Sequence, residues 1–150
     1  MQSTMNQYGA PGFPGLLDGI GPKNVRSYAA EEVIPFGHPV RLGTNKEQEV
    51  LKATTGANAI GFTLHDHAHE STAAGVSQYD PTETSSVLTM GRLWVKTSGA
   101  VTAGDVANLT VATGTLTGAA VAAGIEAFTQ INVRFITSTT AAGIAIVGVK

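Results

Sequence analysis

Three histidines at alternate positions are the residues of this chain that come nearest to a chemical site. His65, His67 and His69 lie within residues 64–70, next to Asp66 and Glu70. Because side chains alternate across a β-strand, the three imidazoles would lie on one side of an extended segment. Three imidazoles suit zinc, copper or nickel, and an open fourth position would permit catalysis. The segment is therefore a candidate metal site.

The surroundings of these histidines match the metal motif of the cupin barrels only in part. Gly61 precedes His67 by six residues and His69 follows at the alternate position, as that motif requires. The glutamate that the motif then needs, at position 73 or 74, is an alanine in both places, and the second cupin motif is missing. A polar loop after an apolar strand is the simpler interpretation. A cupin-like metal-binding barrel stays open as an alternative.

No other pattern in the sequence indicates a catalyst or a cofactor site. The chain has no Gly-x-Ser-x-Gly elbow for a serine nucleophile, no Walker loop and no dinucleotide-binding glycine fingerprint. Its carboxylate pairs, Glu31-Glu32 and Glu47/Glu49, stand beside turns and lysines, which is typical of a solvated face. The sequence thus predicts a protein that is not an enzyme and uses no cofactor.

The composition excludes several classes of partner. The 150 residues have a formal net charge of −2 at pH 7, only 13% are charged, and cysteine is absent. Basic residues are scattered without interleaved aromatics, which argues against nucleic acid, and no apolar run approaches the ~20 residues of a membrane span. Residues 1–4 lack the features of a signal peptide, so we expect synthesis in the cytoplasm and no membrane partner.

From residue 31 onward the sequence has the pattern of short strands separated by turns. Apolar residues of both parities over 87–90 predict a strand buried on both faces there, and Trp94 in the same segment is a candidate core anchor. Residues 118–127 fit a short helix and a loop equally well. The predicted strands are 33–42, 48–54, 58–64, 86–97, 106–112, 130–137 and 143–149. We expect an all-β fold, a small β-barrel or jelly-roll-like sandwich, with residues 31–150 as its single domain.

Residues 1–30 differ from the rest and are predicted to form an extended N-terminal arm. Their density of Gly and Pro excludes regular periodicity, whereas their large apolar side chains distinguish them from a polar linker. Such an arm either covers its own core or orders against a neighbouring subunit. The side chains that we expect to contact a partner are Tyr8, Phe13, Leu16 and Leu17.

A series of turn and strand segments forms a familiar pattern when taken in chain order. The segments are residues 59–64 (AIGFTL), 79–81 (YDP), 86–95 (SVLTMGRLWV), 101–105 (VTAGD), 134–138 (RFITS) and 143–147 (GIAIV). In that order they resemble the structural cement (head decoration) proteins of tailed bacteriophages. The resemblance covers roughly residues 33–150, and the Gly- and Pro-rich start also suits the family.

The resemblance implies a small β-barrel or jelly-roll domain bound to the outside of the mature phage head. There it would bridge neighbouring subunits of the major capsid protein and resist the pressure of packaged DNA. It would also contact itself, as a homodimer on a two-fold axis or a homotrimer at a three-fold position. A third function also stays open beside the cupin-like barrel, namely a tail or fibre module that binds host glycans through some of the five Phe, three Tyr and one Trp.

Overall fold

The structure is a computed structural model that describes residues 13–19, 21–66 and 78–150. Within these ranges the chain is all-β, as predicted, with twelve strands and a short 3-10 turn at Gly56–Asn58. The strands are β1 Asn24–Ala30, β2 Ile34–Pro35, β3 Pro39–Leu42, β4 Glu49–Lys52, β5 Gly61–Thr63, β6 Gln78–Tyr79, β7 Thr84–Thr97, β8 Asn108–Thr110, β9 Thr115–Thr117, β10 Ile125–Ala127, β11 Val133–Phe135 and β12 Gly143–Val149. No helix in the described part of the chain is long and apolar enough to cross a membrane.

Five strands close into a small mixed barrel. β1 runs parallel to β4, and β4, β3, β5 and the first half of β7 then follow as antiparallel neighbours. Antiparallel pairing of β1 with β7 closes the ring, with Ser27 opposite Ser86. Closure satisfies the backbone groups of all five strands without leaving an open edge. We call the buried cluster associated with this ring the barrel core: Tyr28, Ala30, Ile34, Phe36, Val40, Val50, Tyr79 and Val87.

A second sheet is built on the other half of β7. β12 pairs with it from Gly143 opposite Thr97 to Val149 opposite Gly91, and β11 pairs with the far edge of β12. β9, β8 and β10 continue from the end of β7. We call the buried cluster under this sheet the sheet core: Phe62, Leu64, Leu88, Leu93, Val95, Val101, Ala107, Leu109, Leu116, Val133, Phe135, Ala145, Val147 and Val149.

β7 connects the barrel to the sheet because its fourteen residues are long enough to belong to both. Val87 and Leu88 are both fully buried, which confirms the predicted strand with two buried faces at this point. Met90 departs from that prediction, since 39% of its surface is exposed. Gly91 has a φ of +137°, a value that side chains with a Cβ rarely adopt, and lies where β7 passes from the barrel into the sheet.

The structure decides the conformation of two regions that the sequence left open or assigned only coarsely. Residues 24–30, which the sequence placed in the arm, form β1 of the barrel by backbone pairing with β4 and β7. The first four of these residues are exposed, whereas Tyr28 and Ala30 are buried in the barrel core. Residues 118–127 are not helical, since they contain turns followed by β10, which pairs with β8. Both segments become strands by pairing with strands that are distant in sequence, so the local pattern of apolar and polar residues could not predict them.

Candidate functional site

Residues 15–18 lie beside β7 and are held to it by one isolated antiparallel bridge and by backbone hydrogen bonds. Leu17 is opposite Leu93 in an antiparallel bridge. The backbone N–H of Trp94 donates to the Leu16 carbonyl oxygen at 2.9 Å, and the backbone N–H of Asp18 donates to the Arg92 carbonyl oxygen at 3.0 Å. The Leu17 side chain packs against the sheet core. This part of the predicted arm therefore covers the core of its own chain.

An aromatic contact holds the same segment against the barrel. The rings of Phe13 and His65 meet edge to face with centroids 4.4 Å apart, and His65 lies 5.1 Å from Phe36 in the barrel core. The backbone N–H of His65 donates a hydrogen bond to the Gly15 carbonyl oxygen at 2.8 Å. Gly15 has a φ of +85°, and a Cβ at this position would lie 2.7 Å from the backbone nitrogen of His65. Glycine is therefore required for this close approach.

The four predicted partner-contact residues do not share one surface. Tyr8 lies outside the described residues. Phe13 is 40% exposed beside His65, whereas Leu16 and Leu17 are half-buried. Contact of these four side chains with a partner stays a prediction.

The structure describes one of the three predicted metal-binding histidines. His65 lies between Phe13 and Phe36, while His67 and His69 lie outside the described residues. Within residues 13–19, 21–66 and 78–150, no group of three His, Cys, Asp or Glu side chains could hold a metal ion. A site that includes His67 and His69 stays a prediction.

His38 joins the barrel to the turn between β8 and β9. Its Nδ1 lies 2.8 Å from the Pro39 carbonyl oxygen, a distance that suits an Nδ1–H donor. Burial lowers the pKa of His38 below its ordinary value of 6.5, and the hydrogen bond to Pro39 opposes this shift. Gly114, in the turn, has a φ of +71°, and a Cβ there would overlap His38 Nε2. The ring is thus packed as a structural element at the junction of barrel and sheet.

The outer face of the sheet carries a basic row that runs across three strands. Arg92 on β7 is directly opposite Gly148 on β12, and Gly148 is directly opposite Arg134 on β11. Directly opposed residues of antiparallel strands share a face, so both guanidinium groups flank a position that has no side chain. Both arginines are exposed, whereas the preceding and following residues on their strands are buried.

An apolar row lies next to the basic row on the same face. Trp94 is directly opposite Ile146, and the Ile136 N–H donates to the Ile146 carbonyl at 2.8 Å. Leu16 lies on the other side of Trp94, through the backbone hydrogen bond described above. Trp94 is half-buried in this row, which corrects its assignment as a core anchor. The core positions of this half of β7 are of the other parity, at Leu93 and Val95.

A groove of about 680 Å³ opens along the basic row. Its lining includes Met90, Arg92, Arg134, Ile136, Gly148 and Lys150. Sequence reasoning missed this feature, although it had predicted a strand over residues 130–137. The groove could not be predicted because it depends on the register of three strands, which places Arg92 and Arg134 on either side of Gly148.

The whole chain, residues 1–150, matches the family model described as "Structural cement protein (E217 gp24/Pam3 gp6)". The chain belongs to this family of phage structural cement proteins. The cement protein also resembles a chain in the solved structure "The capsid of Myoviridae Phage XM1", with a TM-score of 0.69 and 15% identity over 90% of this chain and 88% of that chain. No curated protein has a matching sequence.

The family match confirms the resemblance found in the sequence and gives the cement protein a structural role in the phage capsid. It is therefore a protein of the virion that associates with the capsid. The similarity to the phage XM1 chain shows the same fold, and the closed barrel with additional strands agrees with the predicted β-barrel.

Proposed function

We propose that this cement protein binds the outer surface of the capsid, bridges neighbouring subunits of the major capsid protein and stabilises the expanded head against DNA pressure. It acts there as a binding protein and catalyses no reaction. The family match over all 150 residues is the observation that carries this proposal. Contact with a second copy of the cement protein, as a homodimer or a homotrimer, belongs to the same proposal.

The arrangement of the two cores supports a bridging role. A bridge must resist separation of the two subunits that it connects, so its own two parts have to move as one body. β7 passes from the barrel core into the sheet core without interruption, and β12 makes seven paired positions with its second half. At ~3.3 Å per residue, fourteen extended residues have a contour length of at most about 46 Å, and the two ends of β7 belong to different parts of the molecule, which supports contacts with different subunits.

The energetics of bridging depend on the number of contacts rather than on the strength of each. A stable interface buries about 800 Å² per partner. Once the cement protein is bound to one subunit, contact with the next is effectively intramolecular, so modest interfaces combine into slow dissociation. Exposed apolar side chains occur on both parts of the molecule, with Val25 on the barrel and Val106 beside the sheet, 40% and 48% exposed. These exposed side chains support contacts with the capsid at both the barrel and the sheet.

Co-sedimentation with phage heads tests the proposal. Purified protein is mixed with expanded heads that lack it and, in parallel, with unexpanded proheads. We expect saturable binding to expanded heads and an increase in their resistance to heat or mechanical load. Immunogold labelling of intact decorated heads reports whether the protein lies outside. Absence of binding to both particles, or binding with no gain in resistance, would contradict the proposal.

A further inference from the structure

We propose that the groove over Gly148 binds a carboxylate-bearing segment of a capsid subunit between the guanidinium groups of Arg92 and Arg134. This inference rests on the proposed function, because it names the chemistry of the partner at one contact.

The geometry leaves a gap of suitable width between the two arginines. Arg92 and Arg134 lie on strands on opposite sides of β12, and both oppose Gly148. Neighbouring strands are about 4.8 Å apart, so the two Cα atoms are separated by roughly 10 Å across the central strand. Glycine places no side chain in that interval. A Cβ at Gly148 would lie 3.2 Å from Ile136 Cδ1, which shows that the isoleucine forms the adjacent floor.

The charge of the groove points to an anionic partner. Arg92, Arg134 and Lys150 line it, and its described lining contains neither Asp nor Glu, although the chain as a whole has a net charge of −2. In the described part of the chain neither arginine forms an ion pair, although Asp18 lies beside Arg92 in the neighbouring segment 15–18. Arg134 Nη1 donates to the Gly104 carbonyl at 3.1 Å, and its remaining N–H groups are available to a partner.

The apolar floor favours a protein segment over a small anion. A guanidinium fork binds a carboxylate through two parallel hydrogen bonds, and two forks on either side of a gap suit one or two acidic side chains. Met90 and Ile136 lie along the same groove. An extended segment with Asp or Glu flanked by apolar residues would cover this floor, whereas a phosphate would leave it exposed to water. The occupant that fits both properties is therefore an acidic, partly apolar segment of the major capsid protein.

A double charge reversal tests the proposal on purified expanded heads that lack the cement protein. We expect Arg92→Glu/Arg134→Glu to weaken binding about tenfold or more, since both partners of each charge pair would then repel. The matched control is Arg26→Glu/Lys46→Glu, which makes the same charge change at exposed residues of the barrel side and should stay within about twofold of the unaltered protein. Circular dichroism of both variants verifies that they are folded.

A zero-length cross-link identifies the partner. In Arg92→Lys/Arg134→Lys, carbodiimide should couple the introduced amines to Asp or Glu side chains of the major capsid protein, and mass spectrometry locates the linked residues.

Equal binding of the charge-reversed variant and its control would overturn the inference and leave the proposed function intact, because the unaltered protein would still bind. Cross-links to a second copy of the cement protein would also overturn it. Failure of the unaltered protein to bind heads would instead refute the proposed function, and this inference with it.

Discussion

Val87 and Leu88 are consecutive residues, yet their side chains are buried in different cores. Val87 belongs to the barrel core and Leu88 to the sheet core, and both have no exposed surface. Since side chains alternate across a strand, one stretch of β7 forms a wall of both cores at once. Distortion of either core must therefore move the backbone that supports the other.

The shared strand predicts that the barrel and the sheet unfold together. Leu88→Ala should lower the free energy of unfolding by about 2–5 kcal/mol, because it leaves a cavity in the sheet core. Calorimetry of the unaltered protein and of this variant should each show one transition, whose calorimetric and van't Hoff enthalpies agree.

The control for this prediction is Met90→Ala, two residues further along β7. Met90 is 39% exposed, so its substitution should change the free energy of unfolding by about 0.5 kcal/mol or less. A variant at Leu88 that unfolds in two separate steps, with the barrel melting independently of the sheet, would contradict the prediction.

Gly114 should tolerate alanine less well than Gly124. Both have a positive φ, +71° and +78°, so each alanine should cost about 1–2 kcal/mol of backbone strain. A Cβ at Gly124 would meet no atom within 4 Å, whereas a Cβ at Gly114 would overlap the His38 ring. Chemical denaturation should therefore show a clearly larger loss for Gly114→Ala. Equal losses for the two variants would mean that the His38 ring moves aside without cost.

Local patterning was sufficient where a strand has its own alternation of buried and exposed side chains. The strand at residues 130–137 was predicted, and β11 within it alternates buried Val133, exposed Arg134 and buried Phe135. This strand carries in its own sequence the signal that decides which face is buried.

Elements that depend on distant partners could not be predicted in the same way. The first four residues of β1 are all exposed, so they show no alternation of buried and exposed side chains, and β1 becomes a strand because β7 and β4 supply hydrogen-bonding partners. The basic row of Arg92, Gly148 and Arg134 depends on the register of three strands, which no single segment encodes. The assignment of Trp94 to the core was wrong. Its large side chain suggested a core residue, but it lies on the outer face of the sheet, between the buried Leu93 and Val95.

The stability of the protein should decrease on acidification partly through His38. Burial lowers the pKa of His38 in the folded state, so below pH ~6.5 the unfolded chain binds a proton that the folded protein does not. The contribution of neutral His38 to stability is thus complete above that pH and is lost as the pH falls towards the folded pKa. Melting temperatures between pH 8 and pH 5 should decline less steeply for His38→Gln than for the unaltered protein. Identical slopes would show that His38 has no part in the pH dependence.

Trp94→Ala should affect binding more than folding. The side chain is half-buried on the outer face of the sheet, so its removal should cost less than the roughly 3–5 kcal/mol typical of a buried Trp. Chemical denaturation measures this cost, and co-sedimentation with expanded heads measures the loss of binding. Val95→Ala is a suitable control, because Val95 is 1% exposed in the sheet core and its loss should reduce stability without altering the outer face. A large loss of stability with unchanged binding would place Trp94 outside the interface.

Two truncations separate the structural and the binding contributions of the N-terminal segment. Deletion of residues 2–12 keeps every described contact of Phe13 and Leu17, and head binding should weaken through the loss of Tyr8. Deletion of residues 2–22 also removes the bridge between Leu17 and Leu93 and the packing of Leu17 against the sheet core. It should therefore lower both the melting temperature and the affinity for expanded heads. Head binding that is unchanged in both truncated proteins would remove the N-terminal segment from the capsid interface and leave its role confined to covering the sheet core.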